Sequence, residues 1–440
     1  MKKKYFGTDG IRGTAYEFPM NSDFLYSLAR AIKNNDNTIG RILIGMDTRE
    51  SCEYIKNSLV NGFISYGVTC ECIGVVSTPI LCFYTKLSNY DLGIMISASH
   101  NPYDDNGIKI FKKNGEKLSD KEELSIEEKI FTTKNIKLED ETIQSPFNDF
   151  SEYEKFLFDK VNLPKNRLNN NIVMDCANGS LWDFAPKFFK KLNFNLFTYG
   201  CSPNGNNINQ DCGALEQHKL SEMTLRHNSD IGISFDGDAD RVIICDNKGK
   251  IIDGDYILAI IAYRLKKDKN KNISIVSTKM SNLSFRNYIE NINIKLSLSD
   301  VGDRYVVEKM KNTNSFVGGE PSGHIIFSDN SYCGDGILTA LYILGILEEE
   351  KITLSDLCDL LFIKTPQRLL NFKLNDNNQN LINSQKVERL INKYEDKDCE
   401  IILRKSGTEN VLRLMIQSSE EGDINDFIKL FSNIINEKTT

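Results

Sequence analysis

Three times along this chain a short apolar run feeds a polar loop, and each time a second strand-like run then leads into a loop rich in Ser, Asp, Gly or His. The opening runs are Arg41-Ile-Leu-Ile-Gly-Met-Asp47, Asn171-Ile-Val-Met-Asp-Cys176 and Asn272-Ile-Ser-Ile-Val-Ser277. The second runs are Leu92-Gly-Ile-Met-Ile-Ser97, Asp230-Ile-Gly-Ile-Ser-Phe235 and Ser315-Phe-Val-Gly318. Helix-like stretches such as Cys52 to Gly67 and Trp182 to Leu192 lie between them. Strand and helix alternating at this spacing predict parallel α/β units. Ligands in such sheets sit beyond the carboxyl ends of the strands. All three polar loops fall there, so one shared cleft is expected.

The end of the chain reads differently. Asn371 to Asn375 is strand-like, Leu381 to Tyr394 has helical periodicity, and strands Glu400 to Arg404 and Val411 to Gln417 bracket a Lys405-Ser-Gly-Thr408 turn. A helix from Ile424 to Glu437 follows, giving a small α+β domain that begins near Pro366, after a Leu354 to Phe362 helix. The polar stretch Thr132 to Asp149 reads as the linker between the first two units. A length of 440 residues suits three or four domains at about 150 residues each.

Charge and cysteine usage narrow the function. Lys+Arg 54 against Asp+Glu 61 leaves a net charge of −7, unlike the basic excess of a nucleic-acid binder. Apolar runs such as Ile257 to Tyr263 and Ile337 to Leu347 fall short of the ~20 residues a membrane helix needs. Lys2, Lys3 and Lys4 are followed by Tyr-Phe-Gly-Thr-Asp-Gly and not by the apolar core of a signal peptide, so a cytoplasmic protein is expected. The 11 cysteines form no CxxC pair and only four histidines accompany them, which speaks for free thiols over a zinc site.

Four loops carry chemistry-bearing residues. Ser97-Ala-Ser-His-Asn-Pro102 sets the hydroxyl of Ser99 beside the imidazole of His100, with Lys109 following; a serine hydroxyl needs a neighbouring base to become a nucleophile. Asp-Asn-Gly and Asn-Pro also suit a plain exposed turn. Phe235-Asp-Gly-Asp-Ala-Asp-Arg241 places Asp236, Asp238 and Asp240 at alternate positions, able to turn several oxygens toward one hard cation such as Mg²⁺. That much like charge in one loop is costly without a cation or a basic partner. An EF-hand is excluded because Arg241 and Asn247 stand where Gly and Glu belong. A phosphatase with an Asp nucleophile is disfavoured by Asp240. Gly318-Gly-Glu-Pro-Ser-Gly-His324 offers an acceptor, a hydroxyl and an imidazole at Glu320, Ser322 and His324, which suits a polyhydroxylated ligand or a self-satisfied loop. Arg404-Lys-Ser-Gly-Thr-Glu409 with Arg413 combines a backbone anion nest with two guanidiniums, a phosphate grip. The opening Gly7-Thr-Asp-Gly-Ile-Arg-Gly13 does not fit the nucleotide P-loop.

Taken in order, Phe6-Gly-Thr-Asp-Gly-Ile-Arg-Gly13, Ala98-Ser-His-Asn-Pro102, Asp236-Gly-Asp-Ala-Asp-Arg241, Gly319-Glu-Pro-Ser-Gly-His324 and Arg404-Lys-Ser-Gly-Thr-Glu409 resemble the α-D-phosphohexomutase superfamily across essentially the whole chain. Tyr5-Phe6, Val301-Gly-Asp-Arg-Tyr305 and Leu403-Arg-Lys-Ser-Gly-Thr408 are most similar to its bacterial phosphoglucosamine mutase branch. The resemblance implies an α/β fold of four domains around a central cleft: three related α/β units with mixed, mostly parallel sheets and a smaller C-terminal α+β domain. Their expected bounds are 1–150 for the phosphoserine domain, 151–252 for metal binding, 253–366 for sugar binding and 367–440 for phosphate binding. It implies interconversion of glucosamine 6-phosphate and glucosamine 1-phosphate, with Mg²⁺, a phosphorylated Ser99 and a hexose 1,6-bisphosphate as primer and intermediate. Ser99, Asp236, Asp238 and Asp240 would be the metal site, and Arg12, His100, Lys109 and Arg241 would complete the reacting centre. Glu320, Ser322 and His324 would read the sugar, and Arg404, Ser406, Gly407, Thr408 and Arg413 the non-reacting phosphate. The partner is then a small sugar phosphate, with no nucleic acid and no membrane, and a homodimer is left open. Phosphomannomutase, phosphoglucomutase and a silent sugar-phosphate sensor are the competing readings. Met46, Cys52, Ser97, Pro321 and Asn410 depart from the usual family residues, and none removes a charged reacting group.

Overall fold

The computed structural model describes residues 3–436 apart from 131–148, 162, 165–166, 169, 268–272, 330, 375–383 and 406–410. The first unit contains β1 (Ile11–Thr14), α1 (Ser22–Asn35), β2 (Arg41–Met46), α2 (Cys52–Ile64), β3 (Thr69–Val75), α3 (Thr78–Leu87), β4 (Leu92–Ile96), β5 (Asp105–Lys112) and α4 (Asp120–Glu127). The second contains α5 (Ser151–Lys160), β6 (Asn171–Asp175), α6 (Phe184–Lys191), β7 (Asn195–Tyr199), α7 (Gln217–Arg226), β8 (Ile231–Phe235), β9 (Val242–Asp246) and β10 (Ile251–Ile252). The third contains α8 (Gly254–Lys266), β11 (Ser274–Thr278), α9 (Leu283–Asn291), β12 (Lys295–Ser299), α10 (Asp303–Thr313), β13 (Val317–Gly319), β14 (Ile325–Phe327), α11 (Gly336–Glu350) and α12 (Leu354–Leu361). The last contains β15 (Gln367–Lys373), α13 (Gln385–Glu395), β16 (Glu400–Lys405), β17 (Val411–Gln417) and α14 (Glu421–Asn436).

The repeat visible in the sequence is a repeat of topology. The sheets run β1-β5-β4-β2-β3, β10-β9-β8-β6-β7 and β12-β11-β13-β14. In each, a central strand (β2, β6 or β11) pairs in parallel with a neighbour on both sides. The third parallel strand then turns back into an antiparallel partner: β4 into β5, β8 into β9, β13 into β14. The sequence pattern predicts the parallel part and not these return strands. Each reactive loop is therefore a hairpin connection, pinned at both ends to the carboxyl edge of its sheet. The fourth sheet, β15-β17-β16, is wholly antiparallel.

Some boundaries shift. β15 starts at Gln367, ahead of Asn371, because it stays in register with β17 over its full length. The closing helix begins at Glu421 and not at Ile424. The proposed linker lies outside the described residues except at Asp149.

Packing separates the fourth unit from the rest. On the first sheet Ile42, Ile44, Ile94 and Ile96 face one core, with Phe24, Leu28 and Leu59 from the helices. Leu43 and Met95, alternating to the other face, join a core that continues through Met174, Ile233 and Phe235 into Ile257, Ile275 and Leu341. This alternation is the period-2 signature of a sheet covered on both faces. The fourth unit has its own core of Leu412, Leu414, Ile416, Phe427 and Phe431. It meets the third unit through polar contacts: Gln417 accepts from the Leu283 N–H at 2.9 Å, Gln367 donates to the Met280 carbonyl at 3.1 Å, and Arg286 pairs with Glu400.

Candidate active site

Ser99 follows β4 and adopts φ +55, a left-handed conformation that costs a non-glycine residue roughly 1–3 kcal/mol. A dense hydrogen-bond scaffold holds it there. The Ser99 N–H donates to Ser97 Oγ (2.9 Å), and Ser97 Oγ donates to Asp47 (2.6 Å). Asp47 also pairs with buried Arg49 at 3.0 Å, and the Arg49 guanidinium donates to the carbonyls of Ser99 (3.2 Å), Asn101 (2.8 Å), Pro102 and Asp105 (3.0 Å). From the second unit, Asn209 donates 2.9 Å bonds to the carbonyls of Ser99 and Asn101. The loop is thus shaped by residues on both sides of the cleft. Its hydroxyl donates to Asp236 Oδ2 at 2.5 Å and lies 3.4 Å from His100 Nδ1.

The β8–β9 connection brings the carboxylates up to that hydroxyl. Gly237 is required here, since a Cβ on it would lie 2.5 Å from the Ser99 carbonyl oxygen. Asp236, Asp238 and Asp240 are buried, and one oxygen from each lies within 4.8 Å of the others. Asp238 Oδ1 and Asp240 Oδ1 are buried and accept no hydrogen bond. Burial, then Asp240 and Asp238, push the Asp236 carboxyl up to about 7. Three crowded carboxylates with unused oxygens are the donor set of a hard divalent cation, so a metal fits this site.

Basic groups surround the triad. Lys109 on β5 is fully buried, with Nζ 2.6 Å from Asp238, 2.9 Å from Asp240 and 3.0 Å from Asp9. Burial would lower its pKa, but Asp238, Asp240 and Asp9 outweigh that and hold it well above the ordinary lysine value. Lys109 therefore sits here as an ammonium. The imidazole of His100 goes the other way, to about 3, through burial and the nearby Arg241 and Arg12. Arg241 Nε lies 3.9 Å from Asp236 and 3.8 Å from Asp240. Arg12 on β1 donates to Asp9 at 2.5 Å and to Asn101 at 3.2 Å.

The β13–β14 connection closes the third side. Gly323 takes φ +87, and its carbonyl accepts from the Val242 N–H of the second unit at 3.1 Å. Glu320 Oε1 accepts from the Gly302 N–H at 2.9 Å, while Ser322 is exposed. Pro321 is accommodated because its carbonyl, not its nitrogen, is used, accepting from Gly254 at 3.1 Å. His324 is buried, with Nδ1 3.5 Å from Asp240 and Nε2 3.8 Å from Asp303. On the fourth unit Arg404 and Arg413 lie directly opposite each other on β16 and β17. Burial and Arg413 pull the Arg404 pKa down while the charge of Glu320 pulls it up. Ser406, Gly407 and Thr408 lie outside the described residues.

The structure thus gathers Ser99, His100, Lys109, Arg12, Arg241 and the aspartate triad, with His324 among them. Sequence reading passed over several neighbours. Asp9 and Asp303 sit inside motifs it quoted, Asp47 and Arg49 at the end of a strand it quoted, and Thr78, which donates to Asp238, on a helix with no marker. Lys117, paired with both Asp9 and Asp303, had no signal at all.

Known proteins share this order of domains. Family models described as phosphoglucomutase/phosphomannomutase match in order: alpha/beta/alpha domain I over residues 3–137, domain II over 151–249, domain III over 253–364 and the C-terminal domain over 369–432. The phosphoglucosamine mutase of Buchnera aphidicola subsp. Baizongia pistaciae is 40% identical, covering 98% of this chain and 97% of its own. That of Citrifermentans bemidjiense is 37% identical over 99% and 98%. The chain belongs to the phosphoglucosamine mutases. These are isomerases of the phosphohexomutase family. Solved structures agree on the fold of this phosphoglucosamine mutase family member. A putative phosphomannomutase from Thermus thermophilus superposes with a TM-score of 0.79 at 19% identity, covering 98% of this chain and 99% of its own. Aspergillus fumigatus N-acetylphosphoglucosamine mutase in complex with GlcNAc-6P and magnesium gives 0.67 at 18% identity, covering 99% and 96%. Among the described residues no helix is long and apolar enough to cross a membrane.

Proposed function

We propose that the enzyme interconverts glucosamine 6-phosphate and glucosamine 1-phosphate, with Ser99 as a reversible phosphoryl carrier. The observation that carries this reading is the Ser99 hydroxyl 2.5 Å from a carboxylate of the buried aspartate triad. The name shared by relatives 36–40% identical supports the amino sugar. A Mg²⁺ held by Asp236, Asp238, Asp240 and a phosphoryl oxygen on Ser99 would neutralise charge on the group in transfer.

The chain's own residues supply the rest. A sugar hydroxyl attacks the phosphorus on Ser99; the bond to Ser99 Oγ breaks as the bond to the sugar oxygen forms, and the hydroxyl proton passes by way of the neutral imidazole of His100 to the released Ser99 Oγ, while Lys109, already an ammonium, offsets charge. Arg12 and Arg241 stabilise the equatorial oxygens. The product is a bisphosphorylated sugar, which turns over in the cleft and returns its other phosphate to Ser99. Glu320, Ser322 and His324 hold the sugar hydroxyls in both orientations. Arg404, Ser406, Gly407, Thr408 and Arg413 grip whichever phosphate is not reacting.

A coupled assay with Mg²⁺ and a hexose 1,6-bisphosphate primer tests the substrate. Glucosamine 6-phosphate is expected to give the highest kcat/KM among glucosamine, mannose and glucose phosphates. A preference for mannose 1-phosphate or glucose 1-phosphate would replace the amino sugar in this reading.

A further inference from the structure

A closed ring of acidic and basic side chains runs through three units and takes in Asp240 of the triad. Asp9 contacts Lys109 at 3.0 Å, and Lys109 contacts Asp240 at 2.9 Å. Asp240 faces one nitrogen of His324 at 3.5 Å, and the other nitrogen faces Asp303 at 3.8 Å. Lys117 then closes the ring by pairing directly with both Asp303 and Asp9. Asp9, Lys109 and Lys117 come from the first unit, Asp240 from the second, Asp303 and His324 from the third. Every side chain in it is at most 17% exposed.

We propose that Lys117, acting through Asp9 and Asp303, is a positioning residue of the reacting centre. Lys117 is the one basic residue of the ring that touches no member of the triad. Without it, two poorly solvated carboxylates lose their shared partner. Asp9 keeps Arg12 at 2.5 Å and draws harder on Lys109, while Asp303 is left facing His324 alone, so the two groups that flank Asp240 are displaced from the place where transfer occurs. An uncompensated buried charge is costly enough to force such a rearrangement. Arg304, next along from Asp303, provides a contrast. It also ties the third unit to the first, forking onto Asp120 and Glu123, but has no contact with the ring.

The inference rests on the mutase reading of this site. The test compares Lys117→Met, Lys117→Arg, Asp303→Asn, Arg304→Met and the double variant Lys117→Met/Asp303→Asn, using whichever hexose phosphate the wild type turns over fastest. Lys117→Met is expected to lose about 10–100-fold in kcat, as for other residues that orient a reacting group, with KM within about threefold of wild type. Lys117→Arg recovers most of that loss, and Arg304→Met loses thermal stability without a comparable fall in kcat. The double variant, which removes the stranded charge, folds and loses no more than the product of the single effects. A wild-type kcat for Lys117→Met, or an equal kcat loss in Arg304→Met, overturns the assignment. If Lys117→Met does not fold, Lys117→Gln is measured in its place, and a wild-type kcat there has the same meaning. The wild-type substrate ranking tests the amino-sugar reading separately from these ratios.

Discussion

At Ser99 a single oxygen separates carrier from scaffold. The backbone around it is held by Arg49, Asn209 and Ser97, none of which uses the Ser99 hydroxyl. Ser99→Ala is therefore expected to abolish mutase turnover while leaving the thermal midpoint and sugar-phosphate binding close to wild type. Turnover surviving in that variant, beyond a trace, contradicts the carrier role. The sequence showed this residue because its neighbours in the chain, His100 and Lys109, are also its neighbours in space. It could not show Lys117, whose partner Asp303 lies 186 positions away. A lysine in a polar turn has no local mark of burial; only the assembled cleft gives it two carboxylates.

Elements position the charges that single residues carry. On β17, Leu412, Leu414 and Ile416 fill the fourth unit's core, and Arg413 alternates to the opposite face. Arg413→Ala should accordingly leave that domain folded and cost about 2–4 kcal/mol in transition-state stabilisation, by analogy with other lost charge-stabilising donors. Unchanged kcat/KM for both phosphate isomers would take the fourth unit out of the mechanism. Helix α11 shows what burial does to a cap. Asp335 caps it by accepting from the Leu338 N–H at 2.9 Å, and it accepts from the Tyr153 hydroxyl at 2.9 Å. Burial raises its carboxyl from 3.8 to about 6, against the pull of these bonds. Between those values the folded chain holds a proton that the unfolded chain has released, so this group makes stability fall as pH rises. In Asp335→Asn that slope disappears: from about pH 4 to about pH 7 the variant gains roughly 2 kcal/mol relative to wild type, read from urea midpoints. Parallel pH curves would show the carboxyl to be unperturbed. The parallel strands were legible as continuous apolar runs, whereas β5, β9 and β14 were not. Their pairing depends on connections longer than a two-residue hairpin turn, so the hairpin signature is missing there even though Asn-Pro marks a turn in the first.

Across the whole molecule, three units with a continuous core form a cradle, and a fourth with its own core carries Arg404, whose charge Glu320 favours. The triad is a point of electrostatic tension inside that cradle. Saturating Mg²⁺ is expected to raise the midpoint of thermal unfolding, since a ligand at a hundred times its Kd adds about 2.7 kcal/mol to the folded state. The increase should vanish in Asp238→Asn; an equal increase in that variant would place the ion elsewhere. That three loops would share one cleft was legible from strand order, because all three leave the same edge of similar sheets. How closely they approach was not, since it depends on contacts such as Gly237 against Ser99 that no periodicity encodes.

The carrier role itself is read most directly by peptide mass spectrometry after incubating the enzyme with Mg²⁺ and a hexose 1,6-bisphosphate. One phosphoryl group is expected, on the peptide bearing Ser99, and it should be lost when excess sugar monophosphate is added. Steady turnover with no phosphate at Ser99, or with the phosphate on another residue, would contradict the account.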